Sequence, residues 1–277
     1  MRLFGSNKKE EEKPEEATAE TEVQSDGVQT YIMEPSLQET HDLIHAVLGE
    51  AEQVVMGKRP ILDLCAVGIL AGGNILFEDN PGLAKTLLAN TFAQTLGVHF
   101  KRVQFTPDLL PADITGIYIW NQKDQKFQFR KGPIFCNILL ADEINRAPPK
   151  TQAALLEAMQ EHQVTIEGDT HILPAPFVVL ATQNPIESEG TYPLPDAQLD
   201  RFMMKLSVGY PGRPIERAIL IKRKLRGKDE HTLEAITSSE KLKEMQQSLE
   251  KVQVDDSIIE YIVEIINRTR EDPRVKV

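Results

Sequence analysis

Cysteine is scarce in this chain, whose 277 residues include only Cys65 and Cys136. Both lie in apolar stretches, so we expect buried, reduced thiols rather than a disulfide. The six histidines form no cluster with cysteine at the spacing of zinc ligands. The sequence therefore favours neither a disulfide scaffold nor a zinc-dependent function.

Long apolar runs are also missing. A membrane-spanning helix needs about 18 or more consecutive apolar residues, and the longest candidate, residues 61–71, is interrupted by Asp63. The N-terminal Met-Arg-Leu-Phe-Gly-Ser lacks the apolar region of a signal peptide. We expect no membrane span and a cytoplasmic location.

Basic residues are fewer than acidic ones: the chain has 31 Lys and Arg against 42 Asp and Glu, which gives a net charge of −11. Residues 1–30 hold 8 acids and 4 bases, which contributes −4 and leaves −7 for the rest. An acidic body does not attract nucleic-acid phosphates, so we expect no nucleic-acid partner. Residues 1–30 are poor in aromatics and are predicted to form a disordered acidic tail.

What is present is a candidate phosphate-binding loop in residues 74–86. An apolar run at 75–77 is followed by a turn segment at 79–82, then Lys85-Thr86 and a helix-like stretch at 87–96. In such loops, backbone N–H groups and the helix N-terminus face the phosphate oxygens. The Lys binds the phosphates and the hydroxyl ligates Mg²⁺.

The match to the pattern G-x-x-x-x-G-K-[ST] is incomplete. Asp79 and Ala84 stand at the two glycine positions, which leaves Gly82 as the only glycine of the loop. Taken by itself, the stretch is equally compatible with a plain strand–turn–helix junction. Asp79 also brings negative charge near an anion site, which counts against nucleotide binding.

Two further apolar strands end in polar residues. Residues 138–141 form a continuous apolar run, typical of a covered parallel strand, and end in Asp142-Glu143. Residues 177–181 form another, followed shortly by Asn184. Because ligands bind at the carboxyl ends of parallel strands, we expect these side chains at one sheet edge. The alternative for Asp142-Glu143 is a helix-entry cluster, since Asp can cap a helix.

Together these segments predict a phosphoryl-transfer site, which needs positioning and charge neutralisation. Lys85 would supply positive charge, Thr86 would be a ligand of Mg²⁺, and Asp142 would hold the metal through water. Glu143 would activate or orient the attacking water, and Asn184 would hold that water near the γ-phosphate.

The remaining pattern predicts an α/β fold with a parallel sheet flanked by helices. Predicted helices cover 41–56, 60–70 and 150–161; strands cover 98–105 and 202–208; hairpins cover 116–130 and 163–173. Pro211-Gly212-Arg213-Pro214 marks a boundary, after which residues 215–277 are predicted to be all-helical.

Five motifs carry a resemblance to a known family, in residues 81–86, 104–116, 140–152, 181–185 and 196–202. They resemble those of the MoxR family of AAA+ ATPases, and the resemblance runs from about residue 38 to the end. The resemblance implies a P-loop NTPase (AAA+) core at 31–210 and a C-terminal all-helical lid subdomain at 211–277. No arginine can be assigned to the family's sensor 2, so the lid is expected to be incomplete.

The resemblance also assigns roles to residues. The Walker A loop would comprise Asp79, Asn80, Pro81, Gly82, Leu83, Ala84, Lys85 and Thr86, and the Walker B pair Asp142 and Glu143. Asn184 would be sensor 1, and Arg201 an arginine finger that reaches the nucleotide of the next subunit. Val55 and Gly57 would line the adenine side. The hairpin 116–130 is either an insert directed to a ring pore or an ordinary surface hairpin.

The implied function is that of an ATPase that uses ATP and Mg²⁺ in a homo-oligomeric, hexameric ring. It would remodel or mature client protein complexes as a chaperone, with a von Willebrand factor A domain protein as a client. An alternative, favoured by Asp79 and the missing sensor 2, is a nucleotide-dependent binding module with little ATP turnover. A DNA-remodelling motor is disfavoured by the acidic charge.

Overall fold

The structure is a computed structural model that describes residues 34–185, 190–228, 231 and 233–275. Within it, Pro35–Val277 forms a compact unit. The predicted tail, residues 1–30, lies outside the described residues, and the domain boundaries stay predictions. No helix of the described chain is both long and apolar enough to cross a membrane.

The strands, in chain order, are β1 (Ile75–Glu78), β2 (Phe100–Gln104), β3 (Gly116–Asn121), β4 (Lys126–Lys131), β5 (Ile138–Asp142), β6 (Gln163–Ile166), β7 (Asp169–Ile172), β8 (Val178–Gln183) and β9 (Met204–Leu206). The helices are α1 (Pro35–Glu52), α2 (Arg59–Leu70), α3 (Lys85–Thr95), α4 (Pro111–Thr115), α5 (Pro149–Glu161), α6 (Asp196–Leu199), α7 (Arg213–Arg226), α8 (Ser239–Ser248) and α9 (Asp256–Glu271).

Five described strands form a parallel sheet in the order β2-β5-β8-β1-β9. The three central strands are almost wholly buried because apolar clusters cover both faces of the sheet. One cluster draws on α1, α2 and α3, and the other on α5 and the segment around α4. Parallel strands covered on both faces require continuous apolar sequence, which β5 and β8 have. The predicted α/β fold is confirmed.

Three helices differ from the sequence prediction. Helix α6 was not predicted, and α1 ends at Glu52 rather than at residue 56. Helix α1 begins at Pro35 rather than at residue 41, because proline suits the first turn of a helix, where its missing N–H is not needed. Helix α4 lies between the strand predicted at 98–105 and the hairpin predicted at 116–130, where no helix was predicted. The Asp113 carboxylate accepts a hydrogen bond from the Leu110 N–H at 2.9 Å, which caps this short helix.

After β9, every regular element that the structure describes is helical, as predicted. Helix α8 packs onto the core through Leu242 and Met245, and the Gln246 side chain donates to the Ile69 carbonyl at 2.8 Å. Helices α7 and α9 bury none of their described residues.

The two predicted hairpins, β3–β4 and β6–β7, are both present and contact each other. The Tyr118 hydroxyl donates to the Asp169 carboxylate at 2.6 Å, and the rings of Phe129 and His171 stack with centroids 4.0 Å apart. A pore-directed role for β3–β4 stays a prediction.

Both cysteines are buried free thiols, as predicted. Burial raises the pKa of the Cys65 thiol and of the Cys136 thiol to about 12. At neutral pH both therefore stay protonated and weakly nucleophilic.

Candidate functional site

The parallel register places the carboxyl ends of β1, β5 and β8 at one edge of the sheet. Ala141 pairs with Ala181, and Glu78 pairs with Gln183. The candidate phosphate loop follows β1, Asp142-Glu143 lies at the end of β5, and Asn184 follows β8, so they share that edge, as the sequence predicts. Asn184 is 7 % exposed there.

The loop between β1 and α3 has two residues with left-handed backbone. Gly82 has φ +82° and Ala84 has φ +58°. A Cβ on Gly82 would meet no atom within 4 Å, so the backbone angle, and not crowding, favours glycine there. Pro81, Gly82 and Ala84 are exposed, whereas Leu83 is buried. The loop thus presents an open surface anchored by one apolar side chain.

Helix α3 begins directly at Lys85, and Thr86 is its second residue. The residue before it, Ala84, provides no side-chain cap. The N–H groups of the first turn therefore have no capping partner from that side chain, and the helix dipole makes this end favourable for an anion.

Lys85 is 9 % exposed and is held by its own loop. Its Nζ donates to the Asp79 carbonyl at 2.8 Å and to the Asn80 carbonyl at 3.2 Å. Burial lowers the Lys85 pKa, and the charges of Asp79, Asp142 and Glu143 oppose that shift. Lys85 therefore lies within electrostatic reach of all three carboxylates.

The Asp79 carboxylate is bound on both of its oxygens. It accepts hydrogen bonds from the Ser207 hydroxyl at 2.7 Å and from the Val208 N–H, both at the end of β9. The sequence suggested that this residue opposes an anion site. Its charge does act on Lys85, but the carboxylate also has the structural task of tying the phosphate loop to β9.

Removing the Asp79 carboxylate should therefore destabilise the fold. Asp79→Ala leaves the buried Val208 N–H and the Ser207 hydroxyl without this acceptor, so we expect a loss of about 1–3 kcal/mol in the free energy of unfolding. Urea denaturation measures it. Ser207→Ala, which removes one donor, should cost less, about 0.5–1.5 kcal/mol. Equal stability of Asp79→Ala and wild type would contradict the tether.

Asp142 and Glu143 are joined by a third residue, Thr182 on β8. The Thr182 hydroxyl donates to Asp142 Oδ1 at 2.6 Å and accepts the Glu143 N–H at 2.8 Å. Glu143 has φ +57°, an uncommon backbone conformation for a non-glycine residue. Thr182 thus fixes the turn at which the strand ends. Glu143 does precede a short 3₁₀ helix, Ile144–Arg146, as the helix-entry alternative expects, but its side chain makes no cap hydrogen bond.

Three side chains that the sequence analysis did not select complete this network. Arg102 donates to Asp142 Oδ2 from Nη2 at 2.6 Å and from Nε at 3.1 Å. Gln104 Nε2 and Arg146 Nη1 donate to Glu143 Oε2 at 2.7 and 2.8 Å. The sequence signal that could have found two of them is the polar pair Arg102 and Gln104 near the end of the strand predicted at 98–105.

Val55 and Gly57 lie between α1 and α2, near the end of β9. Val55 is buried, and Gly57 has φ +67°. A Cβ on Gly57 would come within 2.9 Å of the Ile215 side chain at the start of α7. The adjacent Lys58 donates to the Val208 carbonyl at 2.7 Å. Asp79 binds the Val208 N–H. This turn and the phosphate loop are therefore both hydrogen-bonded to the backbone of Val208.

Arg201 is not brought to the edge that holds Asp142. It precedes β9, whose first residue, Met204, pairs with Ile75 at the start of β1. The strand from Ile75 to Glu78 spans about 10 Å at 3.3 Å per residue. Arg201 is exposed, and its Nη1 donates to the Leu156 carbonyl at 2.9 Å. In the described part of the chain it forms no ion pair with Asp196 or Asp200.

The donor set at the edge fits Mg²⁺. Thr86 offers a hydroxyl and Asp142 a carboxylate, both hard oxygen ligands. Within the described ranges, no group of three or more His, Cys, Asp or Glu side chains is arranged for a metal ion. A cation bound by one or two protein oxygens together with substrate phosphates needs no such group.

One protein-family model matches the part of the chain that contains this site. The model of the ATPase family associated with various cellular activities (AAA) matches residues 74–204. That range contains the loop, Lys85, Asp142, Glu143, Asn184 and Arg201.

Two curated relatives and one solved structure match most of this chain. YeaC of Bacillus subtilis, whose function is uncharacterised, is 50 % identical over 237 residues, which are 84 % of this chain and 74 % of YeaC. The chaperone MoxR1 of Mycobacterium tuberculosis is 44 % identical over 84 % of this chain and 60 % of MoxR1. A crystal structure of a candidate ATPase from Cytophaga hutchinsonii is 45 % identical, with a TM-score of 0.78 over 84 % of this chain and 71 % of that one. The chain belongs to the MoxR family of AAA+ ATPases.

Proposed function

We propose that the chain binds Mg²⁺–ATP at the carboxyl edge of the sheet and hydrolyses it. The observation that carries the proposal is the convergence of Lys85, Asp142 and Glu143 at that edge, where the parallel register aligns the end of β1, before the loop and Lys85, with the end of β5. One cation and two carboxylates beside a glycine-containing loop and a helix N-terminus form a site for phosphates and a metal ion.

Each residue then has a separate task. When the nucleotide binds, Lys85 gives up its hydrogen bonds to the two loop carbonyls and donates to phosphate oxygens instead. Thr86 and Asp142 hold Mg²⁺, which when bound neutralises charge on the phosphate oxygens. Glu143 orients and activates the attacking water, and Asn184, buried at the end of β8, positions that water. Val55 and Gly57 line the adenine side.

The most direct test of nucleotide binding is Lys85→Ala. A hydrogen bond to a charged group contributes about 1.5–3 kcal/mol, so the affinity for ATP should fall by about 10- to 100-fold. Titration with dye-labelled ATP in the presence of Mg²⁺ measures this. Lys123→Ala, in the exposed turn of the β3–β4 hairpin, removes the same charge elsewhere and should bind as wild type does. Equal affinities of Lys85→Ala and wild type would refute the assignment.

The assembly and the client form the second part of the proposal. The chain would act as a hexameric ring that remodels client proteins, with a von Willebrand factor A domain protein as a client. Two facts support it: a relative is named a chaperone, and Arg201 lies exposed and away from the nucleotide edge of its own subunit. Mass photometry with and without ATP tests the ring.

A binding module with little turnover is the second candidate. Glu143 is held by both Gln104 and Arg146, so the proposed base is not free in this arrangement. Measurement of phosphate release beside ATP binding separates the two functions. Tight binding without phosphate release from an assembled ring would favour the module.

A further inference from the structure

The carboxylate proposed to hold Mg²⁺ is already occupied by a cation of the protein. Arg102 directs two donors, Nε and Nη2, at Asp142 Oδ2, at 3.1 and 2.6 Å. The other oxygen, Oδ1, accepts the Thr182 hydroxyl at 2.6 Å. The Asp142 side chain is 14 % exposed, against 47 % for Arg102. The ion pair is therefore half open to solvent on the arginine side.

The strand register builds this contact. On β2, Gln104 pairs with Asp142 and Arg102 pairs with Leu140. Residues two apart on a strand share a face, so Arg102 and Gln104 lie side by side. Gln104 Oε1 accepts a hydrogen bond from Arg102 Nη2 at 2.8 Å. The guanidinium is thus held between two acceptors and directed at Asp142.

A guanidinium on Asp142 Oδ2 and a divalent cation held there, directly or through water, compete for this oxygen because two positive charges would lie side by side. We propose that Arg102 occupies the metal's place on Asp142 in the nucleotide-free chain and leaves when Mg²⁺–nucleotide binds. Arg102 is then a positioning residue that lowers the affinity of the site for the metal-bound nucleotide. This inference rests on the proposed function.

A purely structural role makes a different prediction. If Arg102 only ties β2 to β5, its removal lowers stability and leaves the metal dependence of nucleotide binding unchanged. If it competes with the metal, its removal strengthens binding of the metal-bound nucleotide specifically. The diagnostic quantity is the ratio of the dissociation constant in EDTA to that in Mg²⁺.

The experiment uses the full chain and fluorescent mant-ADP, titrated in EDTA and in Mg²⁺. ADP lacks the γ-phosphate and is not hydrolysed, so the readout is independent of turnover. The ratio should be about 5- to 10-fold larger in Arg102→Gln than in wild type. This expectation lies between the free-energy contribution of an exposed ion pair and that of a charge-assisted hydrogen bond. Lys101→Gln removes one charge from the neighbouring exposed position of β2 and should leave the ratio unchanged.

The possible results are distinct. An unchanged or smaller ratio in Arg102→Gln overturns the inference, and so does an equal rise in Lys101→Gln, which would show a general charge effect. If wild type binds no mant-ADP in either condition, both the proposed function and this inference are refuted. Should Arg102→Gln not fold, Arg102→Lys, which loses the two-donor fork, should raise the ratio about twofold, and no rise would overturn the inference.

Discussion

Glu143→Gln should lower the rate of ATP hydrolysis by about 10²–10⁴-fold, the usual contribution of general base catalysis. Glutamine keeps the size of the side chain and its ability to accept from Gln104 and Arg146, but it cannot take a proton from water. The substitution therefore removes an interaction that stabilises the transition state, whereas ATP binding should persist.

Phosphate release under saturating ATP, with dye-labelled ATP binding measured in parallel, tests this prediction. Glu244→Gln, on the exposed surface of α8, is the matched control and should hydrolyse ATP at the wild-type rate. Hydrolysis by Glu143→Gln at the wild-type rate would show that Glu143 is not the base.

Arg201→Ala should abolish assembly-dependent hydrolysis while leaving folding and ATP binding nearly intact. An arginine finger is worth about 10³–10⁵ in rate, whereas an exposed ion pair contributes about 0–1 kcal/mol to stability. The position of Arg201 before β9, at the edge where the strands begin, favours action on a neighbouring subunit. Arg268→Ala, whose side chain is 78 % exposed on α9, is the control and should keep activity.

Mixing two inactive variants tests action between subunits. In a ring of Arg201→Ala and Glu143→Gln chains, an intact Arg201 from one chain can face an intact Glu143 in the next. Mass photometry first shows whether the two variants assemble together. In co-assembled rings, some ATP hydrolysis should return. A co-assembled mixture that stays as inactive as either variant would restrict Arg201 to a role within its own subunit.

Local sequence determined the elements that carry the phosphate loop and the acidic pair. A short apolar run before a turn, Lys85-Thr86 and a helical stretch specify strand, loop and helix through neighbouring residues. The continuous apolar runs that end at Asp142 and near Asn184 specify covered parallel strands. Parallel strands align their carboxyl ends, so the common edge followed without knowledge of the strand order.

Only the tertiary structure decided which side chains meet across strands. Asp79 binds Ser207 and Val208, more than 120 positions away in the chain, and no local pattern encodes that pairing. The contacts of Arg102 and Gln104 with Asp142 and Glu143 depend on the register of β2 against β5. Register depends on how whole strands fill the core, because a shift by one residue would turn every side chain to the other face.

The placement of Arg201 also depends partly on the local sequence and partly on the tertiary structure. Arg201 directly precedes the strand predicted at 202–208, which places it at one of the two ends of the sheet strands, and the direction of β9 decides which end that is. Pairing of Met204 with Ile75 puts Arg201 at the edge opposite Asp142. The sequence thus determined the chemical groups and the local elements, because these depend on residues close together in the chain. The fold decided which groups face each other, because that depends on strand order and packing over the whole domain.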